Sequence, residues 1–307
     1  MGTAELSCES LRALIGEPAY QVLAVVTQPD QPKGRGLKRT ASPVKDIALQ
    51  EKLLVLQPQS ARDDTFRAEL ARLKPDLIAV AAYGQILPES LLQLPPLGCL
   101  NVHTSLLPKY RGAAPVQWAL LNGDAETGVT IMKMDAGLDT GAIVSREATA
   151  IAPEDTAETL LQRLAVLGAR LLVRSLPEYA AGRLKPRPQP AEGVSYARKI
   201  RREDGQIDWR QPARVLWNQV RGLVPWPGTF THLNSGSRPQ LLKVWAAAPE
   251  DLSGEPGTVL AADRSGIVIG CGEGSLRIFT LQREGGRRLS AAEFLAGLPL
   301  RPGQRLG

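Results

Sequence analysis

Residues 99–141 read CLNVHTSLLPKYRGAAPVQWALLNGDAETGVTIMKMDAGLDTG. The stretch begins with a short apolar run, CLNVHT, and returns to one at VTIMKM, Val129 to Met134. Both runs are bounded by turn residues and read as strands. Side chains alternate along a strand, so Asn101 and His103 project from the same side of the first one. The second run leads into DAGLDTG, where Asp139 lies between Leu138 and Thr140-Gly141, in a turn whose glycines let the backbone approach a ligand closely. Three polar side chains of complementary type are thus expected at the ends of two strands.

Working outward, the same alternation of elements recurs upstream. VLAVV (Val22 to Val26) is a bounded apolar run of the buried-strand kind, and a helical pattern follows from Val44 to Glu51. LLVLQ reads as a short strand, Thr65 to Leu73 as a helix, and Leu77 to Ala82 as another buried strand that ends in Tyr83-Gly84. Leu11 to Ile15 can form a short helix near the start, and AIVS a short strand after the Asp139 turn. Strand and helix in alternation predict a Rossmann-like, doubly wound parallel sheet, an α/β fold whose ligands bind at the carboxyl ends of the strands. Downstream, Leu160, Leu161, Leu164, Leu167, Leu171 and Leu172 recur at helical spacing between Thr156 and Leu176, with Asp155 or Thr156 as the cap and Pro177 as the expected stop.

Two segments break the pattern. TQPDQPKGRGLKRTASPVK carries three prolines and the basic residues Lys33, Arg35, Lys38 and Arg39, and is expected to be a long basic loop without regular structure. Long loops inside compact domains are usually either functional or disordered, and on composition alone both readings stand here. GRLKPRPQPAEGVS, with Pro186, Pro188 and Pro190, reads as a semi-rigid linker. It divides the chain into residues 1–182, a linker at 183–195, and residues 196–307. Beyond the linker a helix at Pro212 to Val220 precedes five short segments, TFTHL, LLKVWAA, GTVLAA, GIVIG and SLRIFTL, and a closing helix at Ser290 to Leu295. Close spacing of short strands predicts a small β-barrel of the oligonucleotide-binding (OB-like) type.

The totals bound the remaining possibilities. At 307 residues with 43% hydrophobic and 22% charged side chains, the chain can bury the cores of two ordinary domains. No apolar run approaches a membrane span and the N-terminus lacks signal-peptide features, so a cytoplasmic protein with no membrane partner is expected. A monomer is the default expectation, since the sequence carries no signal for oligomeric state. Cys8, Cys99 and Cys271 are odd in number and far apart, which suits structural thiols rather than a disulfide framework or a metal site. The net charge of +6 is uneven: residues 1–190 hold 21 basic against 20 acidic side chains, and residues 191–307 hold 16 against 11. A C-terminal basic excess fits a polyanionic partner, although +5 also suits an ordinary solvated surface.

Asn101, His103 and Asp139 are the residue types that acyl transfer to an amine requires. An amide N–H can stabilise an oxyanion, an imidazole can relay a proton, and a carboxylate can orient that imidazole. No Ser or Cys is paired with a base, which favours direct transfer over a covalent enzyme intermediate. A lone histidine at a strand end is more often structural, and His232 in TFTHL is read that way; the company of Asn101 and of a glycine-bounded Asp argues for chemistry at His103. Two histidines without clustered cysteines make a metal site unexpected, and neither a Walker motif nor GxGxxG occurs.

NVHTSLLPKYRGAAPVQWALLNGDAETGVTIMKMDAGLDTG resembles the signature region of the folate-dependent formyltransferases, and the likeness extends to VVTQPDQPKGRGLKRTASPVK before it and to SYARKIRREDGQIDW and VPWPGTF after it. It covers nearly the whole chain and is closest to the branch of the family that acts on methionyl-tRNA. The resemblance implies a Rossmann-like catalytic domain, a C-terminal tRNA-binding barrel, 10-formyltetrahydrofolate as donor, no metal, and the amino group of initiator methionyl-tRNA as acceptor, the reaction that readies this tRNA for translation initiation. It makes Asn101, His103 and Asp139 catalytic. It places Ser105, Leu106, Leu107 and Pro108 against the folate, with Tyr83 and Gly84 close to the pterin, and puts the loop carrying Lys33, Arg35, Lys38 and Arg39 at the acceptor end of the tRNA. Formyl transfer to a small amine such as a glycinamide ribonucleotide or an amino sugar, formyltetrahydrofolate hydrolysis, and non-catalytic RNA binding are the alternatives. The first two need neither a basic loop nor a basic C-terminal domain. One departure stands out: the family opens with a strand before a GT turn, and here Gly2-Thr3 occupy that turn. A sheet lacking its central first strand should leave neighbouring strands unpaired. A chain with about eight more N-terminal residues, enough to span a strand, should be the more stable.

Overall fold

The computed structural model describes residues 1–33, 38–233 and 239–307. They form two compact units, one built from Met1–Pro115, Glu126–Ala150 and Leu161–Ala197, the other from Val116–Ala125, Ile151–Leu160 and Arg198–Gly307.

In the first unit, helix α1 (Leu6–Ile15) precedes β1 (Val25–Val26), and the basic segment forms two short strands, β2 (Gln31–Lys33) and β3 (Lys38–Thr40), paired antiparallel. The expectation of a wholly irregular loop is therefore corrected: its arms form a ladder with Lys33 opposite Lys38, while residues 34–37, including Arg35, lie outside the described residues. Pro32 is tolerated because each strand of an isolated pair has an edge that needs no donor. Helix α2 (Pro43–Gln50) starts where the Ser42 hydroxyl accepts the Lys45 N–H, and α3 (Asp64–Arg72), which follows β4 (Val55–Leu56), where Asp63 caps Thr65. Then come β5 (Ile78–Val80), α4 (Glu89–Leu92), β6 (Cys99–His103), the two-residue β7 (Arg111–Gly112), α5 (Pro115–Leu121), which from Val116 on is counted with the second unit, β8 (Glu126–Lys133) and β9 (Ala142–Ala150).

The sheet is mixed rather than wholly parallel. β1 with β4 and β5 with β6 are parallel, but β6, β8 and β9 run antiparallel, with Asn101 opposite Met132 and His103 opposite Thr130. β8 is buried on both faces, so its sequence has the continuous apolar character of a parallel strand while its direction is the opposite one. Between β1 and β5 stand Met1 and Gly2. The Gly2 N–H donates to Val26 O at 2.9 Å, the Met1 amine to Ala79 O at 2.6 Å, and the Ala81 N–H to Met1 O at 3.0 Å. These two residues tie the halves of the sheet together, and beside them runs a slot of about 730 Å³ lined by Val22–Val26, Leu77–Ala81 and the side chains of Leu11, Leu172 and Leu176.

Helix α6 (Ala157–Ala180) does not stop at Pro177 as its sequence suggests. Proline cannot donate to the carbonyl four residues before it. Here that carbonyl, Val173 O, accepts the Tyr20 hydroxyl at 3.2 Å, so the helix continues with its bonding satisfied. Gly168 lets α6 close on the sheet, since a Cβ there would come within 2.7 Å of Val102 Cγ1. Because Val102 faces the helix, Asn101 and His103 face the other way. Residues 183–197 lie against this unit: Ile143 and Arg187 exchange backbone hydrogen bonds at 2.7 and 2.8 Å, and β10 (Tyr196–Ala197) pairs in parallel with β7.

The second unit has α7 (Ala213–Gly222) followed by β11 (Thr229–Leu233), β12 (Gln240–Glu250), β13 (Val259–Asp263), β14 (Gly266–Gly270), β15 (Ser275–Arg283), β16 (Arg288–Ser290) and α8 (Ala291–Gly297). All its strand pairs are antiparallel, in the order β11-β12-β15-β14-β13 with β16 added to β15. The expected OB-like closure is not found among the described residues: β11 and β13 end the path, and the C-terminal tail bridges to each side of it, Leu306 to Leu233 and Arg305 to Thr258. Trp209, Leu216, Val244, Ile269, Ile278 and Phe294 form the core. No helix among the described residues is long and apolar enough to cross a membrane. Cys8, Cys99 and Cys271 are free and buried, and burial pushes the Cys99 thiol up to about 12 and that of Cys271 to about 11.

Candidate active site

β6 ends at His103, and the chain then turns through Ser105 to Pro108, with the Lys109 N–H donating to Leu106 O at 3.1 Å. Ser105 and Leu107 point inward. The Ser105 hydroxyl donates to Tyr110 O at 2.9 Å, while Thr130 Oγ1 donates to Ser105 O at 2.6 Å and accepts the Leu107 N–H at 3.1 Å. Leu107 is fully buried, whereas Leu106 keeps part of its surface exposed. The turn is thus held from within by β8, and its outer face is left available.

The His103 ring is nine-tenths buried. Its Nε2 lies 2.7 Å from Tyr110 O, and a carbonyl can only accept, so Nε2 carries the proton and donates. Nδ1 then faces Asp139 Oδ2 at 3.8 Å, too far for a hydrogen bond but close enough for the carboxylate to stabilise a proton arriving on that nitrogen. Asp139 is fixed by more than its neighbours in sequence. Its Oδ2 accepts the Gly112 N–H at 2.8 Å, and its backbone adopts φ of 52°, the left-handed region that a side chain seldom occupies. The turn is built by Asp135, whose Oδ1 accepts the Gly137 N–H at 3.0 Å and the Thr140 hydroxyl at 2.6 Å. Gly141 is required because a Cβ would fall 1.9 Å from Lys133 O.

Asn101 lies one strand pleat before His103, half-buried, and its side-chain amide makes no hydrogen bond among the described residues. Its donors are therefore free for a ligand. Tyr83 behaves differently from the other expected site residues. Its ring is buried in a cluster with Val26, Leu56, Ile78 and Leu91, burial pushes its phenol up, and its hydroxyl has no partner among the described residues; the part of it turned to neighbouring loops is the carbonyl, which accepts Thr3 Oγ1 and Gln28 Nε2, each at 2.9 Å. Gly84, at φ of 83°, makes room for that Gln28 amide, 2.5 Å from where a Cβ would sit. Arg39 is exposed on β3.

Sequence reading brought out Asn101, His103 and Asp139 and missed what holds them. Tyr110 and Gly112 supply the carbonyl and amide that orient the ring and the carboxylate. Gln189, from the Pro-rich segment, donates through Nε2 to Asp139 O at 2.7 Å and Gly141 O at 2.8 Å, and accepts Arg111 through Oε1. The only signal for these in the sequence is the cluster KYRG directly after SLLP; nothing local marks Gln189. Among the described residues no three or more His, Cys, Asp or Glu side chains are grouped so as to hold a metal ion.

The profile of the formyl transferase family matches residues 4–176, and that of the formyl transferase C-terminal domain residues 199–299. The chain is 50% identical over 308 residues to the methionyl-tRNA formyltransferase of Geobacter sulfurreducens, covering 100% of this chain and 95% of that one. It is also 50% identical over 305 residues to the methionyl-tRNA formyltransferase of Myxococcus xanthus, covering 99% and 96%. Among solved structures, the N-formyltransferase from Helicobacter canadensis in complex with folinic acid and dTDP-3-aminofucose superposes with a TM-score of 0.66 over 94% of this chain and 97% of that one; at 17% identity the likeness concerns the fold.

Proposed function

We infer that this chain, which belongs to the formyl transferase family and within it to the methionyl-tRNA formyltransferases, transfers a formyl group from 10-formyltetrahydrofolate to the free amino group of methionyl initiator tRNA. The observation that carries the reading is identity near one half along the entire length, rather than in the catalytic segment alone. Residues 1–182 supply the transferase chemistry and 196–307 the tRNA-binding part, in a protein that acts as a monomer in the cytoplasm.

The residues present suit the folate donor, which supplies the formyl carbon when bound. Leu106 and Leu138 offer apolar surface close to the polar trio in sequence, Leu138 being 62% exposed, and Ile86, which follows Tyr83-Gly84, is 77% exposed. Asn101 has an uncommitted amide donor to place against the negative charge that develops on the formyl oxygen as an amine attacks, an arrangement that lowers a barrier because the donor is already oriented. His103 holds Nε2–H on Tyr110 O and presents Nδ1 as the nitrogen able to take a proton, with the Asp139 carboxylate beside it to stabilise the resulting cation.

A surface of the C-terminal unit supports an RNA partner. The Arg288 guanidinium stacks 3.6 Å from the Trp245 ring centre, with Lys243 Nζ 5.2 Å from the same ring. A cavity of about 280 Å³ beside them is lined by Arg202, Trp226, Phe230, Lys243 and Arg283, with Trp226 56% exposed. Cations interleaved with aromatic faces bind phosphates and stack on bases. The decisive test is formyl transfer from 10-formyltetrahydrofolate to methionyl initiator tRNA, with free methionine and uncharged tRNA as controls. Transfer to the charged tRNA alone is expected; equal transfer to free methionine would overturn the assigned acceptor.

A further inference from the structure

Asp139 occupies a left-handed conformation, and besides the Asp135 bonds inside its turn it is held by groups from outside it. Its side chain is bound to the Gly112 amide of β7 at 2.8 Å. Its carbonyl, and that of Gly141, both accept the side-chain amide of Gln189, at 2.7 and 2.8 Å. The other end of the same side chain, Oε1, accepts Arg111 Nε at 3.0 Å and Nη2 at 2.9 Å. Arg111 can only donate and the two carbonyls can only accept, so one orientation of the Gln189 amide satisfies all four bonds. Gly112 and Arg111 are consecutive residues. The result is a closed ring, from Arg111 through Gln189 to the Asp139 turn and back through the Asp139 carboxylate to Gly112.

The backbone that carries Gln189 is itself pinned on both sides. Arg187 is bonded to Ile143 before it, and Ser195 and Tyr196–Ala197 after it, the Ser195 N–H donating to Pro108 O at 3.3 Å and the strand pairing with β7. Gln189, flanked by Pro188 and Pro190, thus sits in a short tether bonded to both sides of the site rather than in a free connection.

We propose that Gln189 is a positioning residue for the formyl transfer: by bridging β7 to the Asp139 turn it fixes the Asp139 carboxylate at its working distance from His103 Nδ1. This deepens the proposed function and rests on the role assigned there to Asp139. The Gln189 side chain bonds to Arg111 and to the Asp139 and Gly141 carbonyls rather than to the imidazole, so its effect passes through Asp139. Three consequences distinguish it from a residue that merely stabilises the fold. Removing its bonds should slow the chemical step while leaving substrate binding in place. Its loss should add nothing once Asp139 is gone. The Gly112 amide, released with the carboxylate, should become exposed to exchange.

The test compares Gln189→Met, similar in shape but without hydrogen-bonding capacity, with wild type and with Asp139→Ala. Expected for Gln189→Met is a kcat about 10- to 100-fold lower, a displacement of ~1 Å costing as much as 100-fold, with KM for both substrates within about twofold. The double variant Gln189→Met with Asp139→Ala should be within about threefold of Asp139→Ala alone, the non-additivity of residues that act as a unit. Hydrogen exchange at the Gly112 amide should quicken at least about tenfold in Gln189→Met, since that bond now opens locally. Should Gln189→Met fail to fold, Gln189→Glu, which keeps the acceptor for Arg111 and loses both donors, is subject to the same expectations. Wild-type kcat in these variants, losses that multiply in the double variant, or unchanged Gly112 exchange would each overturn the proposal. A wild-type chain inactive on methionyl-tRNA would refute the proposed function instead, and the Gly112 exchange would still decide the tether.

Discussion

Adding about five valine-rich residues before Met1, each ~3.3 Å long in a strand, should stabilise the N-terminal unit, and more so at acid than at neutral pH. The slot beside Met1 is bounded by β1 and β5. Because the Val26 and Ala79 carbonyls already accept from Gly2 and Met1, the N–H groups of the same two residues also point into it. An added strand would bond to these two amides and to the carbonyls of Ala24 and Leu77 opposite, about four bonds of ~1 kcal/mol each. It would also bury about three apolar side chains, at ~2 kcal/mol each. Ordering the added residues costs about 1.5 kcal/mol apiece, about 7.5 kcal/mol in all. The net gain is then about 2.5 kcal/mol before charge is considered, enough to move the midpoint of a unit this size by roughly 5–10 °C.

Charge adds a pH-dependent part. Burial holds the Met1 amine down at about 6, against 8.0 for a free one. The unfolded chain therefore binds a proton between pH 8 and 6 that the folded chain does not, so the amine penalises the fold fully below pH 6 and not at all above pH 8. At about 1.4 kcal/mol for each unit, the penalty approaches 3 kcal/mol at low pH. Converting the amine to an amide removes it. Calorimetry at pH 6 and pH 8 on the original chain, the valine-rich extension and a glycine-serine extension of equal length separates the contributions. Equal midpoints for the two extensions, or a larger gain at pH 8 than at pH 6, would refute the reasoning.

Asn101→Ala and Asp139→Ala should each lower kcat by about 10²- to 10³-fold, the usual cost of a lost oxyanion donor or its equivalent, while folate affinity measured by equilibrium titration stays within about threefold. Wild-type turnover in either would remove that residue from the mechanism. Arg35→Ala should leave transfer chemistry intact but reduce the salt dependence of kcat/KM for tRNA by about one phosphate contact, and an unchanged slope would take the basic loop out of the tRNA site. Tyr20→Phe should cost about 1 kcal/mol in urea unfolding, because it leaves Val173 O, the carbonyl that Pro177 cannot serve, without its partner.

Sequence alone marked most strands and helices of the N-terminal unit, the placing of Asn101 and His103 at one strand end, the glycine-bounded Asp139 turn and the strand-rich C-terminal region. Each is a local property: a period of two puts Asn101 and His103 on one side, leucine spacing marks α6, and glycines bound the Asp139 turn. Tertiary structure decided what local patterns do not encode. A buried apolar run such as Val129–Met134 has the same composition in either direction, so only pairing with β6 made it antiparallel. Pro177 breaks an isolated helix, yet a hydroxyl 153 residues away satisfies the carbonyl it leaves open. The β-rich region has the strand spacing of a barrel, but closure depends on which edges meet, and β11 and β13 do not pair. The same holds in the site: nothing in the sequence places Gln189 beside Arg111, 78 residues earlier, or Asp139, 50 residues earlier, because hydrogen-bond partners across a fold are set by where the backbone carries them and leave no periodic trace.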